Sequence, residues 1–136
     1  MRVVIADDSV LLREGLARLL AEAGIETAAL VGDGEELEAA VAEHRPDVAI
    51  IDIRMPPTYT HEGAQAATRL RERDAQIGLL LLSQSLESRY AAELARLHPK
   101  GFGYLLKDRV VDVSLLVERR TPTLKWTDPH TRTASG

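Results

Sequence analysis

Short runs of Val, Ile and Leu alternate along the chain with longer segments whose apolar residues recur every three or four positions. The first run is Val3-Val4-Ile5-Ala6. Leu12, Leu16, Leu19, Leu20 and Ala23 follow on one helical stripe. Ser9 or Asp8 can cap that helix, and Gly24 stops it. Residues 28–31 form a weaker strand, and Gly32-Asp33-Gly34 turns the chain into a second helix. Leu37, Ala40 and Val41 face inward there, and Pro46 lies just beyond its end. Val48-Ala49-Ile50-Ile51 has no polar interruption, as expected of a strand covered on both faces. A loop with Pro56 and Pro57 then runs to Gly63, followed by a helix near residues 63–73 and a strand over 77–82. Residues 87–97 read as a helix through Tyr90, Leu94 and Leu97, and residues 102–106 as a fifth strand. Asp108 caps a last helix carrying Val110, Val113, Leu116 and Val117 on one face.

Five strand-helix units in series predict an α/β fold: a doubly wound, five-stranded parallel sheet with helices on both faces. Parallel neighbours need right-handed crossovers, and the helices supply them. The pattern fails from Thr121 onward, where TPTLKWTDPHTRTASG has no sustained period. Pro122 ends the last helix near residue 120. The expected division is therefore a domain over residues 1–120 and an irregular tail over 121–136, with Trp126 as a large apolar group in the tail.

The 136 residues suit one domain with a core of its own. A hydrophobic share of 45% excludes a disordered chain, and the absence of cysteine excludes disulfides and thiol chemistry. No apolar run approaches the roughly 18 residues of a membrane span. The opening residues do not read as a secretion signal, because Asp7 and Asp8 interrupt them at once. A cytoplasmic, non-membrane protein is expected. The net charge of −4 is uneven. Residues 119–136 carry four basic residues against Asp128 alone, a net of +3, which leaves −7 on residues 1–118. So acidic a body is a poor match for a phosphate backbone, and direct nucleic-acid contact is not expected.

Ligands of doubly wound sheets bind at the carboxyl ends of the strands. The first strand ends at Asp7 and Asp8, the third at Asp52, the fourth at Ser83 and the fifth at Lys107. Three carboxylates on one rim repel each other unless a cation joins them, and a small oxygen cluster with open positions suits Mg²⁺. A lysine and a hydroxyl beside them match what phosphoryl transfer needs, and an aspartate can itself be the nucleophile. Taken singly, each has a structural explanation: a helix cap for Asp7 or Asp8, a turn for Asp52, a backbone partner for Ser83, a solvated charge for Lys107. Four strand ends with complementary chemistry make coincidence a poor account.

At these residues the sequence resembles the receiver domain of two-component response regulators, of the LuxR/NarL-type class. The matching segments are VVIADDS at 3–9, DVAIIDIRMP at 47–56, LLLLSQS at 79–85 and GYLLKD at 103–108. The resemblance implies a flavodoxin-like strand order of 2-1-3-4-5. It implies phosphorylation on Asp52, a Mg²⁺ site of Asp7, Asp8, Asp52 and the backbone carbonyl of Arg54, a phosphoryl-binding Lys107, and switch residues Ser83 and Tyr104. A half-buried core tyrosine is the alternative for Tyr104. A sensor histidine kinase is the implied partner, with a homodimer through the fourth and fifth helices. No enzyme activity is implied beyond phosphorylation and dephosphorylation of Asp52 itself, and the output is transcriptional regulation or a protein contact.

The sequence also departs from the family. The loop from Asp52 to Gly63 is long, with Pro57, Thr58, Tyr59 and Thr60 in it. Gln84 follows the switch serine, and LARLHPKGF replaces the usual small residues before the fifth strand. Gln84 and Arg54 beside the acceptor predict a slowly hydrolysed aspartyl phosphate. No helix-turn-helix follows the truncated last helix, so the expectation is an isolated receiver, an excised one or a damaged product.

Three other functions compete with this one. A haloacid-dehalogenase-type phosphatase needs a second aspartate two residues after the nucleophile, where this chain has Arg54. A nucleotide-binding module lacks its third glycine and any GK[ST] loop. A phosphorylation-independent, receiver-like interaction module remains the alternative. His44, His61, His98 and His130 show no metal spacing.

Overall fold

The structure is a computed structural model and describes residues 1–56, 62–74, 76–83 and 102–107, of which 102–106 by their backbone. The expected helices near 87–97 and after Asp108, the tail from Thr121, residues 57–60 of the long loop, and Gln84 lie outside this range.

The elements run β1 (Arg2–Ala6), α1 (Val10–Glu22), β2 (Glu26–Val31), α2 (Gly34–His44), β3 (Val48–Asp52), α3 (Glu62–Arg73), β4 (Gly78–Ser83) and β5 (Phe102–Leu106). The sheet order is β2-β1-β3-β4-β5, and every pair is parallel, as expected. The connection from β2 to β3 passes over β1 and leaves β3 at the centre, and all five residues of β3 are buried.

Alternation within the strands builds two cores. Val3, Ile5, Ile50, Leu80 and Leu82 pack with Leu16 and Leu20 of α1. Val4, Ala6, Ala49, Ile51 and Leu81 face the other way, onto Leu37 of α2 and Ala66, Ala67 and Leu70 of α3. Each fully buried Leu or Ile contributes on the order of 2 kcal/mol, so burial on the two faces drives the packing of the helices onto the sheet.

The helix boundaries follow from local chemistry. Ser9 caps α1, accepting a hydrogen bond from Leu12 N at 3.2 Å. Gly24, at φ 81°, supplies the left-handed residue that turns the chain toward β2. Asp33 caps α2 through Glu36 N at 2.8 Å. Both caps lie just past strand ends, so they also set the height of the rim where polar groups gather.

Candidate functional site

The rim at the carboxyl ends of β1, β3, β4 and β5 brings together most of the residues singled out in the sequence. Asp7 directly follows β1, Asp52 ends β3, Ser83 ends β4 and Lys107 directly follows β5. Asp7 is fully buried, Asp52 is 3% exposed and Ser83 8% exposed. Asp8 is exposed. One carboxylate oxygen from each of Asp7, Asp8 and Asp52 lies within 4.8 Å of the others.

Each acid is held by its own turn. Asp7 Oδ1 accepts a hydrogen bond from Ser9 N at 2.8 Å, which closes the turn into α1. Asp52 Oδ1 accepts from Arg54 N at 3.2 Å. Lys107 Nζ donates to Asp52 Oδ2 at 3.1 Å and lies 3.4 Å from Asp7 Oδ2. That second contact is an ion pair without a hydrogen bond, so Asp7 Oδ2 is a buried oxygen with an unused lone pair.

Titration follows from this geometry. Burial raises the Asp52 carboxyl from 3.8 to about 6; the Asp7 charge adds to that, and Lys107 opposes it. Burial also raises Asp7, against the Ser9 amide and Lys107. For Lys107, burial favours the neutral amine, but Asp52 and Asp7 outweigh it and the ammonium is held above its ordinary range. The cluster is thus short of positive charge. A hard cation with oxygen ligands fits it, since a bare buried carboxylate oxygen stands among two further carboxylates.

The other expected site residues are placed less completely. Arg54 is exposed just beyond β3, and its amide serves Asp52. Tyr104 pairs with Leu81 in the sheet, and its side chain lies outside the described part of the structure.

Two features were not anticipated. Gly63 lies so close to β3 that a Cβ there would overlap the carbonyl oxygen of Asp52. Val10 and Leu11, beside the rim on α1, are 55% and 83% exposed. The second was legible as two apolar residues lying off the helix's buried stripe. The first was not, because sequence spacing does not report the distance between a helix and a neighbouring strand.

The order β2-β1-β3-β4-β5, with acids and a lysine gathered at its carboxyl rim, defines a doubly wound α/β fold with a polar site. The chain belongs to the response regulator receiver domain family, whose model matches residues 3–118. It is similar to the oxygen regulatory protein NreC of Staphylococcus haemolyticus, 34% identical over 122 residues, which is 89% of this chain and 54% of that protein. Among solved structures it resembles the signal receiver domain of the response regulator NarL from Mycobacterium tuberculosis. That match has 34% identity and a TM-score of 0.69, and covers 84% of this chain and 92% of that one. The receiver domain of AraT from Geobacillus stearothermophilus matches at 31% identity and a TM-score of 0.70, covering 86% and 92%. The chain spans about half the length of the curated relative NreC. Among the described residues, no helix is long and apolar enough to cross a membrane.

Proposed function

We propose that the chain accepts a phosphoryl group on Asp52 and relays it as a conformational signal. The observation that supports this reading is the buried Asp52 carboxylate, paired with Lys107 at 3.1 Å and grouped with Asp7 and Asp8. Residues 1–120 form the receiver in this reading, and residues 121–136 lie outside it.

The donor is a phosphohistidine on a sensor histidine kinase, and this chain receives the group in the cytoplasm. An Asp52 oxygen attacks phosphorus, the phosphorus–nitrogen bond breaks, and the imidazole leaves with its electron pair. Arg54 N and Lys107 each occupy one Asp52 oxygen, but a carboxylate has about four lone-pair sites, so attack remains open. Lys107 balances charge on the incoming phosphoryl oxygens. Asp7, Asp8, Asp52 and the Arg54 carbonyl would hold Mg²⁺, which when bound neutralises the crowded rim and the phosphoryl oxygens together. Ser83 then turns its hydroxyl to a phosphoryl oxygen, and Tyr104 follows it.

In this reading the exposed Val10 and Leu11 beside the rim give the kinase an apolar seat. The output is transcriptional, through a DNA-binding unit other than residues 1–120, with pairing of two receivers as the intermediate step. The test is intact mass after incubation with acetyl phosphate, with and without Mg²⁺, for wild type and Asp52→Asn. A single phosphoryl adduct requiring both Mg²⁺ and Asp52 is expected. A folded protein that takes no adduct is instead a phosphorylation-independent interaction module.

A further inference from the structure

The second residue of α3, Gly63, is buried against the end of β3. Its amide donates to Ile53 O at 2.8 Å. A Cβ at Gly63 would overlap the Asp52 carbonyl oxygen and stand 2.7 Å from the Asp52 carbonyl carbon and 2.9 Å from Ile53 Cα. On the other side, Ile53 N donates to Leu82 O of β4 at 3.0 Å. The peptide that joins Asp52 to Ile53 is therefore clasped between β4 and the first turn of α3. The obstacle is backbone, which no rotamer change relieves.

We propose that Gly63 is a positioning residue for Asp52: bare backbone contact with α3 fixes where the acceptor carboxylate stands on the rim. The proposal rests on the reading of Asp52 as the phosphoacceptor. Any side chain at residue 63 forces the two backbones apart by about 1 Å, and a displacement of that size at a reacting group costs on the order of a hundred-fold in rate. The carboxylate that moves is the one held 3.1 Å from Lys107. Gly34 provides the contrast. It is also buried at a helix start, but a Cβ there meets Ala66 Cβ at 3.5 Å, an ordinary contact.

The experiment compares Gly63→Ala, Gly34→Ala and wild type as full chains. Phosphorylation by acetyl phosphate at saturating Mg²⁺ is followed by intact mass, and the Asp52 carboxyl carbon by NMR. Gly63→Ala is expected to slow phosphorylation by roughly ten- to a hundred-fold while still folded, and to shift the Asp52 carboxyl signal. Gly34→Ala is expected to leave both unchanged. Should Gly63→Ala be unfolded, sucrose sufficient to restore its native circular dichroism is added first. A wild-type rate and an unmoved Asp52 signal in the folded variant would overturn the proposal. If wild type itself takes no phosphoryl group, the reading of Asp52 fails, and the NMR signal alone still decides whether Gly63 positions it.

Discussion

Lys107 Nζ and Asp52 Oδ2 meet at 3.1 Å across a gap of 55 residues. The contact joins the end of the central strand to the residue after the edge strand, so β3, β4 and β5 must all be in register for it to form. Lys107→Ala removes the cation that touches both buried acids. Without Mg²⁺ the variant is expected to lose about 3 kcal/mol of stability at neutral pH, because two charges are left uncompensated. Added Mg²⁺ should restore most of that. Urea denaturation with and without Mg²⁺ measures both.

The raised Asp52 carboxyl predicts a pH dependence of known sign. Between 3.8 and about 6 the folded protein holds a proton that the unfolded chain has released. Stability therefore falls as pH rises through that window, and the full penalty stands above it. Asp7 is raised in the same direction. Lys107, held above its ordinary range, contributes stability that persists through this window and is lost only as pH rises through its folded value. Metal-free wild type should gain roughly 1 kcal/mol over Asp52→Asn on going from about pH 7 to about pH 5. Denaturation midpoints of the two proteins at both pH values test this. Parallel pH dependences would mean that Asp52 titrates normally.

Leu11 offers a way to separate docking from chemistry. It is 83% exposed, so Leu11→Glu should change stability by no more than about 0.5 kcal/mol. Phosphorylation by acetyl phosphate should be unaffected. Transfer from the cognate kinase should fall on the order of ten-fold or more, as for a central contact of a small interface. Equal transfer rates would remove α1 from the kinase seat.

Arg54 is exposed two residues beyond the acceptor. The aspartyl phosphate is expected to hydrolyse slowly, and Arg54→Ala to shorten its lifetime by a few-fold. Loss of the adduct over time, read by intact mass in the presence of Mg²⁺, gives the rate. A wild-type lifetime of seconds would contradict the expectation.

Much of this architecture was legible because the central strands are coded by apolar runs with little ambiguity. Val48 to Ile51 reads as a strand buried on both faces, and Asp52 at its end then falls on the rim. The α1 stripe was equally clear, with Leu16 and Leu20 fully buried where the period puts them. Less was legible at the edge. The strand β2 begins at Glu26, not at residue 28, because Glu26 and Thr27 pair with Arg2 and Val3. Polar residues on an edge strand leave no hydrophobic trace of that pairing. Of the two candidate caps for α1, Ser9 serves and Asp8 stays exposed for the acidic group. The Gly63 contact was hidden because it depends on how closely a helix approaches a strand.

The two cores described above differ in grain. One face mixes buried alanines, Ala49, Ala64, Ala66 and Ala67 among them, with large residues such as Ile51 and Leu70, and the other buries Leu16, Leu20, Leu80 and Leu82 with no buried alanine among the described residues. Small residues let α2 and α3 lie close to the sheet, with no slack for added methyl groups. Large residues under α1 leave voids when they are trimmed. A saturation library of this chain should therefore divide by face, with enlargement purged under α3 and truncation purged under α1. The face that holds these alanines also carries Gly63, so the helix richest in buried alanine is the one in backbone contact with Asp52.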